Sequence, residues 1–262
     1  KRANAIKILS RFLYNEQEKM DLRLAQFNSG KMHNAIPRDG KIVFAVPADK
    51  KEDVKADWNL FSSDVEDEYH VTDTTMKWDL ASADAEKVMP KQISENLIRA
   101  LQAVDNGVLA MCQDKALEWM VETSSNIASV QSSEEKVEVV SSQRSNVMSN
   151  LRNMSNTVKA AFQLAGAKVT QTDGYPAWKM NPNSELVKIA VKEYNQLFGK
   201  DPLVKGIHAG LECGLFSEKY PDLDMISFGP TLRNVHTPDE CLHIPTVKQV
   251  WDFLLAILKN ID

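Results

Sequence analysis

Apolar residues at Ala5, Ile6, Leu9, Phe12 and Leu13 recur at helical spacing, which predicts an amphipathic helix over residues 2–17. No capping residue is read ahead of it. The chain opens on Lys1 already inside the pattern, so the expectation is that sequence precedes it in the natural protein. Residues 22–27 read as a strand stopped by Asn28-Ser29-Gly30, and residues 41–46 (KIVFAV) as a second strand closed by Pro47. Asp49 is placed to cap a helix whose one face carries Val54, Trp58, Phe61 and Val65. Residues 76–80 then alternate as a strand does.

The same order runs again. Pro90 lies near the start of a helix bearing Ile93, Leu97, Ile98 and Leu101, and strands are predicted over 120–130 and 136–142. A helix follows with Val147, Leu151, Met154, Val158, Ala161 and Phe162, ended by Gly166, before a last strand over 168–172. Helix–strand–strand–helix–strand thus occurs twice; with one strand ahead of Lys1 the first copy would be a split βαββαβ unit. Only the order of elements repeats, not the residues.

Near residue 174 the character changes to loop chemistry (Gly174-Tyr175-Pro176, Asn181-Pro182-Asn183). Beyond it Ser184 can cap a helix through Phe198, a strand is expected over 203–208, a helix over 210–219, a strand over 224–228 and a final helix over 246–258. Strands alternating with helices imply a parallel sheet. The expected fold class is an α+β domain over residues 1–180, followed by an α/β segment over 181–262.

Composition narrows the function. Thirty-one basic against thirty-six acidic residues leave a formal charge of −5, which argues against a nucleic-acid partner. No apolar run approaches the ~18 residues of a membrane helix, and the first helix is too polar for a signal peptide. Cys112, Cys213 and Cys241 are too scattered for a disulfide framework or a structural zinc site, so a reducing, cytoplasmic compartment is expected.

Four places can carry chemistry. His236, in Val235-His236-Thr237-Pro238-Asp239-Glu240, follows a predicted strand, where α/β enzymes place ligands; it is a metal-ligand candidate or an ordinary loop histidine. Asp239 and Glu240 can orient its imidazole or cap the next segment. The turn 206–214 (GIHAGLECG) can offer backbone N–H groups to an anion, or simply allow tight helix–strand packing, and it carries His208, Gly210 and Glu212. Asn34 lies between two strands. Arg144, at a strand end, can grip a carboxylate through two parallel hydrogen bonds or remain solvated.

GIHAGLECGLF, DMISFGP and VHTPDE, in that order, resemble the aminoacyl-histidine dipeptidase branch of the zinc carboxypeptidase–aminoacylase metallopeptidases. KRANAIK, GKMHNAIPR, VETSSNIASV and VVSSQRS resemble the lid domain of the same branch. The resemblance implies that residues 1–180 are the lid, of a dimerisation type, and 181–262 the C-terminal part of a two-zinc catalytic domain. It implies that His236 is a metal ligand and that Asn34, Arg144 and the Gly210 turn contact a dipeptide, the last two at its carboxylate. Glu212 belongs to the motif without an assigned contact. The remaining metal ligands, the general-base glutamate and a lid histidine are expected upstream of Lys1. The chain would then be inactive alone, bind no zinc tightly, and belong to a cytoplasmic enzyme, plausibly a homodimer, that hydrolyses Xaa-His dipeptides with a zinc-activated water. Two rival readings are a non-catalytic α+β binding or dimerisation module and, on fold class alone, a cyclic-nucleotide or amino-acid sensing domain.

Overall fold

The computed structural model describes residues 2–113, 115–172, 174, 176, 178, 181, 183–206, 212–235 and 239–261. The chain divides into two compact units, Lys1–Asp173 and Gly174–Asp262. The architecture is mixed, with helices beside open sheets.

The first unit begins with α1 (Ala5–Gln17). Contrary to expectation this helix is capped. Asn4 is extended, and its side-chain oxygen accepts from the N–H groups of Ile6 and Lys7. The cap was overlooked because the apolar pattern runs back through it. β1 (Arg23–Ser29) and β2 (Gly40–Ala45) form an antiparallel hairpin with a bulge near Ala25. α2 (Lys51–Tyr69) buries Val54, Trp58, Phe61 and Val65 as predicted. Asp49 does not cap it, because it lies inside a 3₁₀ turn (Ala48–Lys50) that runs straight into the helix.

Residues 76–80 form no strand. Met76 and Trp78 do pack against the core while Lys77 and Asp79 are exposed, so the alternation recorded an extended segment. A strand also needs a free neighbouring edge. The edge of β1 at Leu24 is already taken, its N–H by the Ser94 hydroxyl and its carbonyl by the Met89 N–H.

After α3 (Lys91–Ala103) comes a strand the periodicity did not reveal, β3 (Gly107–Met111), which is short and largely exposed. It pairs with the first half of β4 (Val121–Ser132), whose other edge carries β5 (Val137–Ser145). β4 meets β1 at its far end, so the order is β2-β1-β4-β5, with β3 paired to the same edge of β4 that β1 meets; every pairing is antiparallel. α4 (Met148–Leu164) closes the unit and ends at Gly166 with φ 83°. Residues 168–172 form no strand, although Val169 packs on the core. The two copies therefore differ: helix–strand–strand–helix, then helix–three strands–helix.

One core joins these elements: Ile6, Phe12 and Leu13 of α1, Leu24 and Phe27 of β1, Ile98 and Leu101 of α3, Ile127 and Val130 of β4, and Phe162 of α4. Phe12 adds ring contacts to Trp58, edge-on with centroids 4.8 Å apart, and to Phe61, tilted.

In the second unit α5 (Glu185–Phe198) is capped by Ser184, as expected, and stopped by Gly199 in the left-handed region. Asp224 reinforces the cap, accepting from the Ser184 hydroxyl and the Leu186 N–H, both at 2.9 Å. Burial opposes its charge, but these bonds and the Met225 and Glu185 N–H groups prevail and hold its carboxyl below the usual range. α6 spans Glu212–Lys219 and α7 Pro245–Leu258. Residues 203–206 and 224–228 lie in no ladder, and residues 207 and 208 fall outside the described part. The expected parallel sheet is thus not formed among the described residues, because neither segment has a strand beside it. The pairing present is a small antiparallel hairpin of β6 (Leu232–Arg233) and β7 (Cys241–Leu242). Ala190, Phe253 and Ile257 form a modest core.

Candidate functional site

The loop carrying Asn34 connects β1 to β2 and is fastened at several points. At its start Gly30 (φ 71°) passes so close to β4 that an added Cβ would collide with the Ala128 carbonyl. The Gly30 carbonyl accepts from the Gln131 side chain at 2.6 Å. Farther along, the Ala35 carbonyl accepts from Asn126 Nδ2 at 2.8 Å and the Pro37 carbonyl from the Ala5 N–H at 3.0 Å. Ser29 Oγ donates to the Asp39 carbonyl at 2.7 Å.

Arg144 sits on β5 directly across from Ser124, and Ser142 across from Asn126. Cross-strand partners share a face, and so do residues two apart. Ser124, Asn126, Ser142 and Arg144 therefore line one face, opposite the one bearing Thr123, Ser125, Gln143 and Ser145. That second face looks toward the helices, and its polar groups satisfy one another: Thr123 with Ser145 at 2.9 Å, Gln143 with Ser125 at 3.3 Å. Because Asn126 holds Ala35, the Asn34 loop rests at the face that carries Arg144, whose Cα is two strand steps, roughly 7 Å, beyond that of Ser142.

Asn34 is half-buried, and its side-chain oxygen is buried without a hydrogen-bond partner. A buried acceptor left unmatched costs about 1–3 kcal/mol and asks for an explanation such as an absent ligand. Glu212 opens α6 and is exposed. His208, Gly210 and His236 lie outside the described residues. The ends of the loop that holds His236 are described: Asn234 adopts φ 53° between β6 and β7, and its side chain donates to the Asp239 carbonyl. Among the described residues no group of three or more His, Cys, Asp and Glu side chains can hold a metal ion. A catalytic zinc takes three protein ligands, so these residues alone do not supply a zinc site.

Sequence reasoning missed the asparagines beneath the loop. β3 and β1 leave a gap along β4 at Ile127, and side chains fill it. Asn106 Oδ1 accepts from the Ile127 N–H at 2.9 Å, and Asn4 Nδ2 donates to the Ile127 carbonyl at 2.9 Å. Asn4 Nδ2 also reaches Asn106 Oδ1 at 3.2 Å and Asn126 Oδ1 at 3.1 Å. The signal was available in five consecutive polar residues, Glu122 to Asn126, inside a central strand, where apolar residues are usual.

The model of the peptidase family M20/M25/M40 matches residues 29–260. The chain is 36% identical over 259 residues to the cytosol non-specific dipeptidase of Escherichia coli (strain K12), covering 98% of this chain and 53% of that protein. It superimposes on the crystal structure of aminoacylhistidine dipeptidase from Vibrio alginolyticus with a TM-score of 0.83 and 35% identity, covering all of this chain and 53% of that one. It spans about half the length of both relatives. Among the described residues no helix is long and apolar enough to cross a membrane. The chain belongs to the peptidase family M20/M25/M40.

Proposed function

We propose that this chain is the lid domain and C-terminal catalytic segment of a metal-dependent dipeptidase, and that the intact enzyme hydrolyses Xaa-His dipeptides. The observation that carries the reading is its correspondence, over its whole length, with half of an aminoacylhistidine dipeptidase. Both relatives are named as dipeptidases; the histidine preference rests on one of them. The exposed apolar side chains of the second unit, among them Leu203, Ile244 and Trp251, and its two unladdered segments support a sheet completed by upstream sequence.

In this reading the lid holds the substrate. Arg144 grips the terminal carboxylate with its planar fork, and Asn34 spends its unmatched oxygen on a donor of the substrate or of the completed site. The Gly210 turn offers backbone N–H groups to the same carboxylate. Two zinc ions in the intact site would supply an activated water, with His236 as one of their ligands. The remaining ligands and the general base come from the upstream half, so the chain by itself binds zinc weakly and does not turn over.

Variants of the intact enzyme test this. His236→Ala is expected to lower bound zinc and abolish hydrolysis of a Xaa-His dipeptide. Arg144→Ala should leave zinc content unchanged while kcat/KM falls roughly a hundredfold, the loss of one charge-assisted carboxylate contact. Unchanged turnover in either variant would remove that residue from the site.

A further inference from the structure

We propose that Asn126 is a positioning residue that sets the spacing between the Asn34 loop and Arg144, and thereby selects substrates of dipeptide length; this rests on the reading of those two residues as substrate contacts. Among the described residues the loop is tethered near Gly30, at Ala35, at Pro37 and at Asp39. The tether at Ala35 falls next to Asn34, and it comes from the strand face that carries Arg144.

The Asn126 amide is held from both ends. Its oxygen accepts from Asn4, whose own oxygen caps α1, and its nitrogen donates to the Ala35 carbonyl at 2.8 Å. Through its cross-strand partner Ser142 it lies one alternate position from Arg144. One side chain thus links the loop that would meet the body of the peptide to the strand that would hold its carboxylate. A dipeptide offers these features at one short separation, whereas each added residue lengthens it by about 3.5 Å. Asn106 is the natural control, since it joins the same network through Asn4 and Ile127 and, among the described residues, is not one of the loop's tethers.

The experiment uses the intact enzyme. Asn126→Asp keeps an acceptor for Asn4 but sets a carboxylate oxygen against the Ala35 carbonyl, two acceptors without a proton between them. The expected result is a roughly tenfold rise in KM for a Xaa-His dipeptide with kcat changed less than about threefold, and a similar fall in the dipeptide-to-tripeptide ratio of kcat/KM. Asn106→Ala should lower the melting temperature and leave that ratio unchanged. Unchanged KM and ratio in Asn126→Asp, while Asn34→Ala and Arg144→Ala lose turnover, would overturn the positioning role and leave the substrate clamp standing. If Asn34→Ala and Arg144→Ala behave as wild type, the clamp fails and the proposal with it. Should Asn126→Asp not fold, Asn126→Ser, which retains a shorter donor, is read against the same two outcomes.

Discussion

Gly30 and Gly166 show how two glycines of similar conformation differ in consequence. Both have positive φ, at 71° and 83°. A Cβ on Gly30 would meet the Ala128 carbonyl of β4, whereas nothing lies within 4 Å of one on Gly166. Gly166→Ala should cost about 1 kcal/mol, the left-handed strain alone. Gly30→Ala adds a backbone collision, and the expected loss is about 3 kcal/mol by urea unfolding. Equal effects would mean that the Gly30 contact with β4 is soft. Glu16 offers a second case: it is 1% exposed, and one of its oxygens has no partner. Burial pushes its carboxyl up despite the Lys19 ammonium at 2.9 Å. Lys19 is half-exposed and is held charged first by Asp57, at 2.7 Å, then by Glu16. A raised carboxyl contributes its stability fully below the unfolded value of 4.5 and loses it as pH climbs through the folded value. Glu16→Gln should therefore raise the melting temperature at pH 7, with the gain vanishing below about pH 4. A variant less stable at pH 7 would show that the ion pair outweighs the burial.

At the scale of elements, helix ends in the first unit are tied to distant parts of the sheet. Asn4 caps α1 and also completes the ladder of β4 at Ile127. Lys7 reaches across to the end of α3 and donates to the carbonyls of Leu101, Gln102 and Val104 at 2.7, 2.7 and 2.9 Å. A cation there meets the unpaired carbonyls and the negative end of the helix dipole. Lys7→Met should destabilise the chain by about 2 kcal/mol and speed amide exchange in the last turn of α3 first. Uniform acceleration across the unit would place the effect elsewhere.

These ties also explain what could be read in advance. The helices with a clear apolar stripe, such as α2 with Val54, Trp58, Phe61 and Val65, were legible because burial on one face imposes their period. Residues 76–80 alternate yet pair with nothing, since alternation reports a half-buried extended chain and not the presence of a neighbour. β3 was hidden because an exposed strand has no period to impose. At the site, Asn34 and Arg144 came from a resemblance between motifs. Asn126 did not, because its part depends on which strand lies beside it and on a loop ninety-one residues away in sequence.

At the scale of the molecule the two units are unequal. The first encloses a continuous core drawn from all its helices and from β1 and β4. Among the described residues the second has three buried apolar residues in its core, and it leaves Leu203 85%, Ile244 75% and Trp251 58% exposed. The chain covers 53% of each relative. The most direct test is hydrolysis of a Xaa-His dipeptide, measured with added zinc on this 262-residue chain and on the intact protein side by side. The account predicts turnover by the intact protein and none by the chain alone. Comparable turnover by the isolated chain, or none by the intact protein, would contradict it.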